Sequence, residues 1–427
     1  MLGIVLVLVL VLEVAAPLTD LPPTPVALPL HRAPPVSRRI PPSATNVPLR
    51  RPPSAARTIL RDKSALVRLA RGMKSPALLH WIQPVAAVLL VSPVSLSAAP
   101  DRVTLDTRNF PTLGKVHRLD PRLDALLDPE AKIEVIASGF EWCEGPVWVP
   151  DAADQRNGGH LLFSEIPSNT VRRWDEGVGL TVFLPASGFT GPGEYSGEPG
   201  SNGLTLDAQG RLVSCEHGDR RVSVLTPGGG KRTLTDAYQG KRFNSPNDLT
   251  IARNGDIYFT DPPYGLPKGA EDPTRELDFC GVYRLNAQSG EVTLVSDRMT
   301  RPNGIGLSPD EKTLYVAQSD GAATLWMAFP IGADGTAGEG RVFKDVTAMG
   351  REFPGSCDGL KVDSQGNLWA TGPGGVHIMA PDGTLLGRIE TGQFTSNVAF
   401  GGKSGSTLFM TADMYVCRIQ TKASAKK

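Results

Sequence analysis

NDLTIARNGDIYFT, residues 247–260, decides the fold. A polar residue opens a short apolar run, an Arg-Asn-Gly-Asp turn follows, and a second alternating run carries the chain back. Alternation on both sides of a Gly-containing turn is the pattern of two antiparallel β-strands. The same phrase recurs from Glu144 (EGPVWV), Asn202 (NGLTLDAQGRLVS), Asn303 (NGIGLSPDEKTLYVA), Asp358 (DGLKVDSQGNLWAT) and, more weakly, Ser396 or Asn397 (SNVAFGGKSGSTLFMT). Downstream of residues 247–260, GVYRLN and EVTLVSD, separated by a Gln-Ser-Gly turn, add two strands to make four in the unit. Recurrence at roughly 40 to 50 residues with four short strands per unit is the signature of a propeller. The expected fold is therefore all-β, a six-bladed β-propeller.

The last unit supplies only three strands, VAF, TLFMTA and YVCRIQ, while KIEVIAS at residues 132–138 precedes the first unit unclaimed. The economical expectation is that this N-terminal strand completes the last blade and closes the ring, leaving no long exposed edge. A catalytic propeller domain is accordingly placed at residues 115–422, with a polar tail at 423–427.

Upstream, residues 1–72 are rich in Pro and Arg and lack periodicity, as expected of disordered chain or of sequence upstream of the true start. Residues 73–99 begin MK, continue through an apolar stretch to Val94 and end on the small residues Ser97 and Ala99. That is the pattern of a signal peptide, which predicts an exported, periplasmic or extracellular protein without a stable membrane span once processed. The alternative is a membrane anchor with a Pro-rich stalk.

Across 427 residues, 44 Lys plus Arg balance 44 Asp plus Glu, so no field draws the chain to nucleic acid. The five cysteines show no C-x-x-C spacing, which argues against a metal–thiolate site. Cys143 and Cys357 each precede a repeat opening and share one phase, but small buried side chains are the expected reading. The tryptophans Trp148, Trp326 and Trp369 fall inside strand patterns and are expected in the core.

In a ring of blades, residues in the same phase of each repeat meet at one height near the axis. The openings include Glu144, Asn247, Asn303 and Asp358, with Asn202 in the same layer. Two carboxylates brought together repel unless a cation lies between them. An oxygen-only set suits one divalent ion, Ca²⁺ first and Mg²⁺ or Mn²⁺ next, better than Zn²⁺, which favours His and Cys. Each residue taken alone could merely cap a loop-to-strand junction. Turn chemistry explains the residue type but not an acid pair on the first and fifth blades. Asn202 and His217, the latter just after a strand, are the candidate substrate-binding residues, and Tyr264 and Arg301 flank the expected mouth.

EGPVW (144–148), NGLTLDAQGRL (202–212), CEHGDRRV (215–222), NSPNDL (244–249), FTDPPYG (259–265), RPNGIGLSPDEKTLYV (301–316) and CDGLKVDSQGNLW (357–369) together resemble the gluconolactonase / senescence-marker-protein (regucalcin-like) family of six-bladed lactonase propellers. The resemblance covers about residues 130 to 420. It implies a single catalytic divalent metal on Glu144, Asn247, Asn303 and Asp358, lactone-ring hydrolysis as the commonest activity, and Asp358 as the acid–base residue. Related diisopropylfluorophosphatase and paraoxonase propellers use a similar cage around calcium. The expected function is thus a metal-dependent hydrolase of a small, sugar-type lactone. The alternatives are a phosphotriesterase or arylesterase with the same cage, or a non-catalytic propeller that binds a partner around a structural ion.

Overall fold

The computed structural model describes residues 110–425. The segments 1–72 and 73–99, and with them the export expectation, lie outside the described residues.

Seven sheets form among the described residues: a two-stranded ribbon, Ala237–Tyr238 with Lys241–Arg242, and six blades. The inner strands of the blades are Cys143–Pro150, Ser201–Leu206, Leu249–Ile251, Pro302–Leu307, Leu360–Val362 and Asn397–Gly401. From each, the chain zigzags outward through antiparallel neighbours. In the third blade Leu249–Ile251 pairs with Ile257–Asp261, then Gly281–Leu285, then Val292–Ser296. These are the four strands the alternation of residues 247–296 predicts, and the arrangement is a six-bladed β-propeller.

Closure follows the expectation. Ile133–Ser138 pairs antiparallel with Tyr415–Gln420, with Ala137 opposite Val416 and Val135 opposite Cys417. The last blade is thereby built from both ends of the domain. Two additions were not legible in the sequence. Thr112–Leu113 pairs outside Ile133–Ser138, and Lys115–Arg118 adds a fifth strand to the fifth blade beside Leu385–Glu390. Nothing local marks KVHR as a strand, because its partner lies far along the chain.

The core is distributed between blades. Between the second and third, Val213, Cys215 and Val222 of one sheet meet Leu249, Phe259 and Tyr283 of the next. Each sheet covers one face of its neighbour, and apolar burial of roughly 25 cal/mol per Å² drives the stacking. Trp326 and Trp369 are fully buried, and Trp148 stacks on Phe409 with ring centroids 5.3 Å apart. All five cysteines are buried free thiols.

The glycine after most repeat openings has a steric cause. A Cβ on Gly145, whose φ is +50°, would stand 2.0 Å from the Asn202 carbonyl oxygen, and one on Gly304 2.2 Å from that of Asp358. Adjacent inner strands thus touch backbone to backbone near the axis. Hydroxyls from the neighbouring blade stitch the same layer. Ser164 Oγ donates to the Asn202 carbonyl at 2.8 Å, Thr260 Oγ1 to Asn303 at 2.8 Å, Thr371 Oγ1 to Ser396 at 3.0 Å and Ser396 Oγ to Cys143 at 2.7 Å. Among the described residues no helix is long and apolar enough to cross a membrane.

Candidate active site

The openings Glu144, Asn202, Asn247, Asn303 and Asp358 sit at the starts of successive inner strands, as their phase predicts. The sixth opening is Ser396, whose hydroxyl reaches the first blade. Asn397 takes the position that glycine holds at Gly145, Gly203, Gly304 and Gly359, and Asp248 takes it in the third blade. A Cβ on Gly359 would fall 2.0 Å from the Asn397 amide carbon, so glycine in one blade makes room for the side chain of the next.

Glu144, Asn202, Asn247 and Asn303 are buried, and Asp358 is half-buried. Oε2 of Glu144 accepts from Gly145 N at 2.7 Å and from Asn397 Nδ2 at 3.0 Å. Asn397 Nδ2 also faces Asp248 Oδ2 at 3.3 Å. Asn303 Nδ2 donates to Ser319 Oγ at 2.9 Å. Three oxygens of this layer are sealed from solvent and have no partner: Asn202 Oδ1, Asn247 Oδ1 and Asp358 Oδ1. A buried unpaired acceptor costs about 1–3 kcal/mol, and these belong to residues in one phase of three blades.

Electrostatics point the same way. Burial, then the charge of Asp248, pushes the Glu144 carboxyl up to about 8. Burial, then Glu144, Asp248 and Glu198, pushes Asp358 well above the usual carboxylate range, against the lowering effect of Asn303. Burial also raises Asp248, and Lys361 opposes it. The layer therefore takes up either protons or a cation. Among the described residues no three His, Cys, Asp or Glu side chains form a metal-holding group. The candidate set has only two acids, its other oxygens being amides, and an oxygen-rich set of this kind suits a hard divalent ion.

His217 follows Leu212–Glu216 directly and is fully buried. Its Nε2 lies 3.4 Å from Asn202 Nδ2, and its Nδ1 lies 3.2 Å from Glu198 Oε2, off the line of a hydrogen bond. Glu198 went unnoticed in the sequence because it lies in the Gly/Pro/Ser-rich stretch 187–201. Arg301 sits 6.0 Å from the centre of the Tyr264 ring, and the Asp358 charge helps to raise the Tyr264 hydroxyl, pushed up chiefly by burial to about 12. Tyr264 thus feels the charge of Asp358, with Arg301 near its ring. Asp248 and Lys361 were also missed, and Asn397 was named only as one of two candidates for the sixth opening. Their signal is the break in the motif: NDL and SNV where NG or DG is the rule, and a lysine in DGLK.

A cavity of about 990 Å³ occupies the channel beyond this layer, lined by Val147, Leu204, Leu249, Ile305 and Lys361. It does not include the candidate residues.

The chain is similar to known lactonases. A gluconolactonase from Zymomonas mobilis is 40% identical over 347 residues, covering 79% of this chain and 94% of its own. A pentonolactonase from Haloferax volcanii is 28% identical over 272 residues, 63% of this chain and 80% of its own. The solved structure of a gluconolactonase from Xanthomonas campestris superposes with a TM-score of 0.61 at 33% identity, covering 73% of this chain and 97% of that one. Residues 142–413, the span holding every opening from Glu144 to Ser396, match the profile of the SMP-30/Gluconolactonase/LRE-like region, and the chain belongs to that family.

Proposed function

We propose that this protein is a lactonase that opens the ring of a small, sugar-type lactone, with one divalent cation held by Glu144, Asn247, Asn303 and Asp358. The observation that carries the ion is the trio of sealed, unpartnered oxygens, one of them on Asp358, in the layer of the buried Glu144 carboxyl. The lactonase reading rests on gluconolactonase relatives aligned over nearly their whole length. Bound there, a divalent ion would supply Lewis-acid polarisation of the ester carbonyl. Ca²⁺ is the first candidate, with Mg²⁺, Mn²⁺ or Zn²⁺ as alternatives.

The chain's own residues divide the remaining work. As a base, Asp358 accepts the proton of the attacking water and hands it to the ring oxygen as the C–O bond breaks; as a nucleophile, it bonds to the carbonyl carbon, the ring oxygen leaves with a proton from water, and a second water then opens the anhydride and frees the Asp358 carboxylate. Glu144 has one oxygen tied to Gly145 and Asn397 and serves as a ligand only. Asn202 and His217 face substrate hydroxyls. An activated ester demands little of its base, so a carboxylate suffices.

The test is hydrolysis of glucono-1,5-lactone, an aliphatic γ-lactone and paraoxon after chelation and after add-back of each ion. Loss of lactone turnover on chelation and its return with one ion is expected. An unchanged rate after thorough chelation would refute the metal-dependent reading, and turnover of paraoxon alone would favour the phosphotriesterase. Export rests on residues 73–99, and secreted material should begin near residue 100.

A further inference from the structure

At the third position after each opening the inner strands carry Val147, Thr205, Thr250, Gly306, Lys361 and Ala399, so Lys361 is the lone charge in that layer. Its ammonium lies 4.0 Å from Asp248 Oδ2 and donates to Asn397 Oδ1 at 3.4 Å and to the Leu360 carbonyl at 3.0 Å. Asp248 is almost wholly buried and Lys361 is about one-third exposed, reaching the channel from its open side. Asn397 Oδ1 also accepts from Val398 N at 2.9 Å. With its oxygen held by two donors, the Asn397 amide must turn Nδ2 towards Glu144 and Asp248. A lysine on the fifth blade therefore orients an amide on the sixth, which holds a carboxylate on the first.

The charges add up in a definite way. Three carboxyls occupy the axis, Glu144 and Asp248 buried and Asp358 half-buried. One ammonium stands among them. Fully ionised, the four groups sum to two negative charges, the complement of one divalent cation, with Glu198 at the rim outside this inner set. Without Lys361 the axis would hold one surplus charge, and without Asp248 it would hold one too few.

We infer that Lys361 is the built-in counter-cation of the axis: it neutralises Asp248 and sets the residual charge of the site to match a single divalent ion. The inference rests on the metal reading given above. Lys361 is here a positioning residue, acting on the ion's ligands through Asp248 and Asn397 without touching substrate.

Opposite shifts distinguish this role from a purely structural one. The chelator-stripped full chain is titrated with Ca²⁺ in a calorimeter, alongside K361M, D248N and the double variant, with ion content measured separately. K361M should bind Ca²⁺ at least tenfold more tightly, or take up a second ion. D248N should bind at least tenfold more weakly, and the double variant should return to within about threefold of the parent, as expected when one charge beside the site is added, removed and balanced. Equal weakening in both single variants, or no shift in either, would overturn the inference while leaving the metal reading intact. A parent chain that binds no divalent ion would overturn both. If K361M fails to fold, the comparison of D248N with the double variant decides, and failure of the double variant to recover affinity counts against it.

Discussion

The Asn202 amide nitrogen faces Nε2 of His217 at 3.4 Å, and the amide oxygen on its other side has no partner at all. With Nε2 accepting, the imidazole proton resides on Nδ1, next to the Glu198 carboxylate 3.2 Å away. The contact between His217 and Asn202 thus aims one acceptor at the axis, with Glu198 near Nδ1 but off the line of a hydrogen bond. Replacing His217 by Ala leaves the amide free to rotate and lose that aim. We expect KM for a lactone to rise about tenfold while kcat stays within about threefold, the signature of lost binding in ground and transition state alike. Steady-state kinetics on glucono-1,5-lactone decide, and a fall in kcat at constant KM would assign His217 to the chemical step instead.

The raised carboxyls make stability depend on pH in a predictable direction. The ordinary value for Glu144 is 4.5, and in the folded, ion-free protein it rises to about 8. A carboxyl held above its unfolded value costs nothing while both states are protonated. Its penalty grows as pH climbs from 4.5 and is complete above about 8. Asp358, raised by burial and then by the charges of Glu144, Asp248 and Glu198, adds to the effect in the same direction, while the donors Gly145 and Asn397 and the charge of Lys361 oppose it at Glu144. Chelated protein should therefore lose Tm steadily between about pH 5 and 8, and the gain in Tm on adding Ca²⁺ should be largest at the alkaline end. A gain independent of pH would show that the ion does not displace protons from this layer.

How far the site was legible depends on which residues keep the repeat and which break it. Glu144, Asn202, Asn247, Asn303 and Asp358 were readable because rotation maps equal phases onto one height, so a linear pattern reports a three-dimensional ring. Asp248, Asn397 and Lys361 occupy positions where the pattern asks for glycine or a small residue, and one sequence gives no measure of whether a departure is noise or function. Glu198 was hidden for another reason: a loop without periodicity carries no phase. The closing strand 133–138 could be found by counting strands, whereas Lys115–Arg118 could not, since the fifth blade was already complete with four.

The close approach of inner strands gives a stability prediction that does not involve the ion. At Gly304 a methyl group would meet the Asp358 carbonyl oxygen at 2.2 Å, and that atom is backbone with no room to retreat. Gly304→Ala should lower stability by about 1–3 kcal/mol or more, the range for an overpacked interior, and should displace Asp358 with it. The exposed Gly210, whose Cβ would meet nothing within 4 Å, is the control. It carries a φ of +72°, so Gly210→Ala reports the cost of backbone strain alone. Chemical denaturation of both variants separates the two causes, and equal losses would argue against steric contact at the axis.

Asp358 is the residue on which the chemical proposal turns, and an isosteric change isolates its role. Asp358→Asn keeps an oxygen where Oδ1 lies but removes the charge and the capacity to take a proton. If Asp358 were only a ligand, the variant would bind Ca²⁺ more weakly and regain most of its rate at saturating ion. As a base or nucleophile it should lose kcat by about 10²- to 10⁴-fold at any ion concentration, since general-base contributions fall in that range. The amide also removes the Asp358 carboxyl itself, which burial and the charges of Glu144 and Asp248 hold above its usual range. The ion-free variant should accordingly show a shallower loss of Tm between about pH 5 and 8 than the parent. Kinetics at saturating Ca²⁺ together with thermal melts across that range test both statements, and full turnover at high ion concentration would move the base to another residue.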